Sequence, residues 1–205
     1  MREAISKRLK GSAPESDPVA AALAELPAYI AMKWFTAPLV PAAVLVPLVS
    51  HATGLTVMLT QRTDHLKDHA GQISFPGGRV EPDDQGPRQT ALREVHEEIG
   101  LSPDLVQVAG YLKPLAVVTG FAVTPVVGFV EPGFELVLDE FEVAEVFEVP
   151  LAFFLDAANM TRSTRTVRGI SVPLVEYQYE HYRIWGATAQ MLERFIKIIN
   201  KNKKI

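Results

Sequence analysis

The sequence predicts a layered domain of the α/β or α+β class, preceded by a short helical extension. Apolar, β-branched runs bounded by turn residues recur along the chain, and helical patterns at residues 87–99 and 186–200 interrupt them. The 205 residues are 48% hydrophobic, which is enough for one full core. Because helices alternate with strands of mixed length, we expect the layered domain over residues 41–200 and the extension over residues 1–40.

Two short helical patterns predict the extension. Residues 2–10 are amphipathic, with Ile5 and Leu9 on one side, and residues 19–26 form an Ala-rich run that Pro27 stops. We expect these helices either to pack on the main domain or to serve a dimer contact.

Strand patterns dominate the main domain. Residues 42–49 are apolar and β-branched, and residues 55–61 follow after a turn as a hairpin partner. Further strands are predicted at residues 73–75, 106–118, 121–130, 144–149 and 172–178. Helices are predicted at Pro87–Ile99, Leu151–Leu155 and residues 186–200. The first of these has Pro at its first position and Gly100 directly after its last residue, which are typical helix boundaries.

Composition excludes several classes of function. There is no Cys, so a disulfide framework, a thiolate metal site and a cysteine nucleophile are all excluded. The 24 acidic and 20 basic residues give a net charge of -4, which disfavours a nucleic-acid binder. The amino-terminal residues lack an unbroken apolar segment, and prolines interrupt the apolar run at residues 38–49. We therefore expect a cytoplasmic protein with no membrane segment.

The helix at Pro87–Ile99 carries an unusual concentration of acidic residues. With Leu92 placed at zero and about 100° per residue, Glu94, Glu97 and Glu98 fall near about 200°, 140° and 240°. All three carboxylates are thus expected on the face opposite the core, with His96 near the core edge. Like charges at this spacing repel each other, and a hard divalent cation such as Mg²⁺ or Mn²⁺ would neutralise them.

A solvated acidic face is the simpler interpretation of such a helix. The segment upstream of it favours a binding site instead. Pro76, Gly77 and Gly78 precede a polar loop that leads into the acidic helix, and glycines allow close approach of the backbone to a ligand. We expect this glycine loop and the acidic helix to hold a pyrophosphate together.

Residues 78–101 resemble the Nudix box, whose pattern is G-x5-E-x7-R-E-U-x-E-E-x-G-U with U aliphatic. The second half of the pattern is complete, whereas Asp84 replaces the first Glu and one extra residue precedes Arg93. The matching residues are Gly78, Arg93, Glu94, Val95, Glu97, Glu98, Gly100 and Leu101. Residues 59–62 (LTQR) and 65–78 (HLKDHAGQISFPGG), with the tail at residues 184–189 (IWGATA), resemble the coenzyme A diphosphatase branch of this family.

The resemblance implies a Nudix fold, a mixed β-sheet sandwiched between helices, and a role for each matching residue. Glu94 and Glu98 would be the principal metal ligands, and Glu97 would be a third ligand or a base that orients water. Arg93 would hold these carboxylates in position, and Gly78 would offer its carbonyl oxygen to the metal. The implied reaction is hydrolysis of the coenzyme A diphosphate with Mg²⁺ or Mn²⁺, with Glu97, Glu98 and Arg93 as its catalytic residues.

Other polar residues are weaker candidates. Arg62, Lys67 and Arg79 could bind phosphate groups. The alternative is that they are ordinary solvated side chains of a loop. His65 and His69 are expected to make structural hydrogen bonds. An extra acid from a distal loop assists several Nudix enzymes, and the candidates are Asp139, Glu140, Glu142 and Glu145.

Three functions remain open at this point. The first is a metal-dependent coenzyme A diphosphatase, acting on the free, acylated or oxidised form. The second is a Nudix hydrolase of another nucleoside diphosphate derivative, such as a dinucleotide or nucleotide sugar. The third is a catalytically silent ligand sensor, which the three retained carboxylates disfavour. Each implies a small-molecule partner, with a homodimer as an open assembly state.

Overall fold

In the computed structural model, which describes residues 1–66 and 69–200, an eight-stranded mixed β-sheet lies between helices, and a second sheet has three strands. The helices are α1 (Arg2–Leu9), α2 (Pro18–Ala24), α3 (Ala28–Trp34), α4 (Pro87–Ile99), α5 (Leu151–Leu155) and α6 (Gly186–Ile199). The strands are β1 (Val40–His51), β2 (Gly54–Arg62), β3 (Ile73–Ser74), β4 (Gly77–Arg79), β5 (Val106–Tyr111), β6 (Leu115–Val117), β7 (Phe121–Val130), β8 (Val143–Pro150), β9 (Met160–Val167), β10 (Ile170–Tyr179) and β11 (Tyr182–Trp185).

Strands β1 and β7 form the centre of the large sheet. They pair in parallel over ten positions, from Val40 opposite Phe121 to Val49 opposite Val130. Both strands are almost continuously apolar, as expected where a parallel pair is covered on both faces. The path of the sheet is β3-β2-β1-β7-β5, with β4, β6 and β8 paired to β1, β7 and β2.

The two faces of the sheet bury separate sets of side chains. On one face, Ala91, Val95 and Ile99 of α4 join a cluster with Ala43 and Leu45 of β1. On the other face, α5 and α6 contribute to a larger cluster that includes Leu48, Leu59 and Phe129. The sheet thereby fixes α4 on one face and α5 and α6 on the other.

The glycine segment before the acidic helix differs from its prediction as a loop. Gly77 and Gly78 lie in β4, which pairs antiparallel with β1 so that Gly78 is opposite Ala43. A Cβ on Gly77 would stand 2.3 Å from the carbonyl oxygen of Ala43, and its φ of 153° disfavours other residues. Glycine is therefore required here by the close approach of two strands, in addition to any contact with a ligand.

The amino-terminal extension packs against the end of the sheet. Ile5 and Leu9 of α1 are buried, and α1 contacts β5 and α6. Beyond the helix, the Ser12 hydroxyl oxygen accepts a hydrogen bond of 2.9 Å from the backbone N–H of Tyr111, in β5. The extension thus supplies a hydrogen-bond partner to the strand at one end of the sheet path.

The predicted fold class is confirmed, since the structure is an α+β arrangement with a mixed sheet and helices on both faces. Helix α3 and strands β9 and β11 were not predicted, and the single run predicted at residues 106–118 is two strands, β5 and β6. Strand β9 is mostly exposed, so it lacks the apolar alternation on which the strand prediction depended. Within the described residues, no helix has the length and apolar character needed to cross a membrane.

Candidate active site

Arg93 is the centre of a hydrogen-bonded network on α4. Its Nη1 donates to Glu94 Oε1 and to Glu97 Oε2, both at 2.9 Å. Its Nη2 donates to Asp84 Oδ2 at 3.1 Å and to the carbonyl oxygen of Arg79 at 3.0 Å. The hydrogen bond with Asp84 is the main reason that the pKa of Arg93 is raised. One guanidinium therefore connects the acidic helix to the loop before it and to the end of β4.

Asp84 anchors this network from the loop. Its side chain is only 2% exposed and accepts further hydrogen bonds of 2.9 Å from the Glu81 N–H and the Thr90 hydroxyl. The hydrogen bond from Arg93 is the main reason that the pKa of Asp84 is lowered, so the carboxylate is the favoured form. Asp84, which stands where the Nudix box pattern has Glu, thus pairs with Arg93 even though one extra residue separates the two positions.

Glu98 lies in a different environment from the other two glutamates. It is 6% exposed, and its Oε2 accepts a hydrogen bond of 3.1 Å from the Gly77 N–H. The Arg62 Nη1 atom stands 4.0 Å from Glu98 Oε1. Burial raises the pKa of Glu98 to about 8, and the hydrogen bond from Gly77 only partly opposes this.

The prediction that all three carboxylates lie opposite the core is therefore wrong for Glu98. The buried residues of α4 include Ala91, Val95 and Ile99, so the buried stripe is centred roughly 60° from Leu92 on the Val95 side. That displacement brings Glu98 inside the protein and leaves His96 exposed, which also corrects the position predicted for His96 near the core edge.

Glu94 lies directly against the backbone of Gly78. A Cβ added to Gly78 would stand 2.4 Å from the carboxylate carbon of Glu94, so only a glycine leaves room for this side chain. Burial is the main reason that the pKa of Glu94 is raised, and the contact with Arg93 opposes that effect. The Glu94 carboxylate is thus packed directly against the backbone of Gly78.

A distal loop adds a fourth glutamate. Residues 131–142 return along α4, where the Asp139 N–H donates to the carbonyl oxygen of Glu98 at 2.9 Å. At the end of the loop, Glu142 Oε2 lies 3.7 Å from Arg62 Nη2. The charge of Glu142 also contributes to raising the pKa of Glu98 and of Glu94. Among the four distal acids considered from the sequence, Glu142 is the one that the structure brings to this cluster.

The three residues predicted to bind phosphate do not share one environment. Arg62 is partly buried between Glu98 and Glu142, and its Nε is a buried donor with no partner in the described structure. Arg79 is exposed, with its guanidinium carbon 5.5 Å from the centre of the Phe121 ring. Lys67 lies outside the described residues.

Four glutamates form an acidic cluster, namely Glu94, Glu97, Glu98 and Glu142. Their carboxylate oxygens are ligands that a hard divalent cation prefers. Carboxylates from Glu94, Glu97, Glu98 and Glu142 outnumber the guanidinium groups of Arg62 and Arg93, and Glu98 is a buried carboxyl with a raised pKa. In residues 1–66 and 69–200, however, no three acidic or imidazole side chains already stand around one point. Glu94 and Glu97 instead point to Arg93, so a cation would have to compete with Arg93 for them.

A cavity of about 350 Å³ lies where two distant segments meet. Gln61 and residues 70–73 form one wall, and residues 181–183 with Trp185 form the other. The buried Thr188 hydroxyl donates to the Ile73 carbonyl oxygen at 2.9 Å and ties the start of α6 to β3. From β3 the chain continues within three residues to Gly77, beside Glu98.

Comparison with known proteins identifies the family. The model of the NUDIX domain matches residues 39–165. A protein of Salmonella paratyphi B named "Uncharacterized Nudix hydrolase NudL" is 45% identical over 152 residues, which are 74% of this chain and 78% of that protein. A protein of the same name from Salmonella newport has the same identity and coverage.

A solved structure supports the fold. The crystal structure of MutT protein from Methanosarcina mazei Go1 has a TM-score of 0.53 with this chain, covering 83% of this chain and 99% of the other at 21% identity. At that identity the likeness concerns the fold alone. Because the domain model covers more than half of the chain and the Salmonella proteins are 45% identical to it, this chain belongs to the Nudix domain family and is a Nudix hydrolase.

Proposed function

We propose that this Nudix hydrolase cleaves the diphosphate linkage of coenzyme A, or of its acylated or oxidised forms. Water would add to one phosphorus atom and the bridging P–O bond would break, giving 4'-phosphopantetheine or its derivative and adenosine 3',5'-bisphosphate. The resemblance to coenzyme A diphosphatases depends on residues 59–62, 65–78 and 184–189. The observation that carries the proposal is one cavity at which Gln61 and residues 70–73 of the upstream motif meet Trp185 of the tail motif.

The position of that cavity supports a long substrate. Gln61 lines it, and the next residue, Arg62, lies between the carboxylates of Glu98 and Glu142. The volume of about 350 Å³ is at the lower end of the range of small-molecule pockets, so it would hold one portion of coenzyme A. Because consecutive residues of β2 point to opposite faces of the sheet, a substrate whose diphosphate lies at the acidic cluster would pass around the sheet edge at β3 to place one of its ends in the cavity.

Nudix hydrolases generally use divalent metal ions, and we propose Mg²⁺ or Mn²⁺ here. Glu94, Glu98 and Glu97 would hold the metal, together with the Gly78 carbonyl oxygen. When bound, such a cation neutralises phosphate charge and acidifies a coordinated water. Arg93 would position Glu94 and Glu97, which it already contacts. Glu97 or Glu98 would accept the proton of the attacking water, and Arg62, Lys67 and Arg79 would bind phosphate oxygens.

The direct test is a substrate panel with the purified protein and Mg²⁺ or Mn²⁺. The panel contains free, acylated and oxidised coenzyme A, a dinucleotide and a nucleotide sugar, and the products are identified by mass. We expect adenosine 3',5'-bisphosphate from coenzyme A. Intact coenzyme A together with a cleaved dinucleotide or nucleotide sugar would contradict the proposal in favour of another Nudix substrate. Binding without cleavage of any compound would favour a ligand sensor.

A pair of variants tests the site. Glu98→Gln removes a proposed metal ligand while preserving side-chain size, and we expect it to abolish cleavage. Glu135→Gln removes an exposed carboxylate from the distal loop and should leave cleavage unchanged. Full activity in Glu98→Gln would refute the proposed role of Glu98.

A further inference from the structure

An exposed aromatic side chain stands at the end of the distal loop. Phe141 is 65% exposed, yet its backbone is held on both sides. Its N–H donates to Asp139 Oδ1 at 2.9 Å, and its carbonyl oxygen accepts from the Thr63 hydroxyl at 2.8 Å. The Thr63 N–H donates to the carbonyl oxygen of Glu142 at 3.1 Å. The exposure of the Phe141 ring therefore does not result from a loosely held backbone.

A second ring lies beside it. The centres of the His65 and Phe141 rings are 4.8 Å apart, and the rings are tilted by 57° rather than stacked. Both residues are exposed. Single exposed apolar residues are common on protein surfaces, but here two rings from distant segments come together on a fixed backbone.

These rings adjoin the acidic cluster. Glu142 directly follows Phe141 and lies 3.7 Å from Arg62, which is itself 4.0 Å from Glu98. On the other segment, Arg62 is followed by Thr63 and, two residues later, by His65. A substrate whose phosphates lie at Arg62 and Glu98 would therefore have its adjoining group near the rings.

We propose that Phe141 and His65 form a stacking surface for the adenine base of the substrate. This proposal rests on the proposed function for the identity of the adenine nucleotide. A planar base gains from contact with an aromatic face, whereas the flexible pantetheine arm has no matching π surface. Nucleobase stacking on an aromatic side chain is sequence-tolerant, so the surface would recognise the nucleotide end of the substrate by shape rather than by base identity.

The test is a titration of the two products into the protein in Mg²⁺ buffer, followed by calorimetry. For Phe141→Ala we expect the Kd of adenosine 3',5'-bisphosphate to rise roughly 5- to 150-fold, the range typical of a lost base–aromatic stack. The Kd of 4'-phosphopantetheine should not change. Phe141→Trp should retain binding, and Phe141→Leu, which keeps an apolar side chain without a ring, should behave like Phe141→Ala.

A control separates stacking from general effects on the loop. Val137→Ala truncates another exposed apolar residue in the same loop and should leave both constants unchanged. Equal weakening of both products in Phe141→Ala, weakening of 4'-phosphopantetheine alone, or no measurable binding of adenosine 3',5'-bisphosphate to the unsubstituted protein would each overturn the inference. Hydrolysis of coenzyme A is measured separately. Binding through Phe141 with coenzyme A left intact would contradict the proposed function alone.

Discussion

Two hydrogen bonds join Arg93 to Asp84, from Nε to Oδ1 at 3.3 Å and from Nη2 to Oδ2 at 3.1 Å. This paired contact is specific to a planar guanidinium, because both donors point the same way. It fixes the guanidinium so that its remaining donor, Nη1, faces Glu94 and Glu97. The orientation of the two carboxylates thus depends on Asp84, a loop residue nine positions before Arg93 in the chain.

Arg93→Lys should therefore impair activity more than its preserved charge suggests. An ammonium group cannot reproduce the paired contact with Asp84 while also reaching Glu94 and Glu97. We expect kcat/KM to fall by roughly 10- to 100-fold, as is typical when a residue that positions metal ligands is lost. Arg88→Lys, on the same helix but outside the network, is the control and should retain activity. Equal activity of the two variants would refute the positioning role.

Gly78→Ala should separate activity from stability. The new methyl group would collide with the carboxylate of Glu94, which is the far end of a flexible side chain and can move away. We therefore expect a small change in the free energy of unfolding but a large loss of activity, because Glu94 leaves its position. Gly120→Ala provides the opposite control, since its φ of 96° strains the backbone while the space around it is open. That variant should lose stability and keep its activity per folded molecule.

In the metal-free protein, the contribution of Glu98 to the free energy of unfolding should fall as the pH rises from about 4.5 to 8. In the unfolded chain Glu98 titrates near 4.5, whereas burial raises its pKa in the folded protein to about 8. Between these values the unfolded chain has released a proton that the folded protein keeps, so the free energy of unfolding falls with increasing pH. Above about 8 both states are ionised and this contribution becomes constant.

Glu98→Gln isolates that contribution. The neutral amide has no such titration, so the variant should exceed the unsubstituted protein in stability at pH 8 by up to about 4 kcal/mol. Urea unfolding in the presence of a chelator, repeated from pH 5 to 9, gives the comparison. Parallel pH profiles for the two proteins would show that Glu98 is not the titrating group.

Thr188→Val should weaken the connection between α6 and β3. The valine has nearly the same shape but leaves the buried carbonyl oxygen of Ile73 without its hydrogen bond, at a cost of about 1–3 kcal/mol. Thr188→Ser keeps the hydroxyl and should restore most of that loss. If the neighbouring cavity binds substrate, Thr188→Val should also raise KM for coenzyme A more than it lowers kcat. If Thr188→Val and Thr188→Ser had the same KM, the cavity would have no role in substrate binding.

Local signals predicted some elements to the residue. The bounds of α4 followed from Pro87 at its first turn and from Gly100, which adopts a φ of 71° after its last residue. The bounds of β7 followed from a largely apolar run between turns. In both elements the information lies within the segment itself, so no knowledge of neighbouring elements was needed.

The burial of Glu98 could not be predicted in this way. Its side chain meets Gly77 of β4 and Arg62 of β2, and the loop at residues 131–142, more than thirty positions further along the chain, hydrogen-bonds its backbone. Helical periodicity describes a helix relative to one assumed core direction, and here two further elements pack against α4. Helical periodicity likewise could not predict the positions of Glu142 and Phe141. They reach the acidic cluster only because the loop at residues 131–142 returns along α4.

The hydrogen bond between Ser12 and Tyr111 has a consequence for self-association. Strand β5 ends the path of the sheet, and a strand in that position offers backbone groups that can pair with a second chain. Residues that follow α1 occupy one of those groups, and α1 itself lies alongside. The amino-terminal segment thus covers part of this edge of the large sheet, and shortening it would expose backbone groups of β5 to pairing with a second chain.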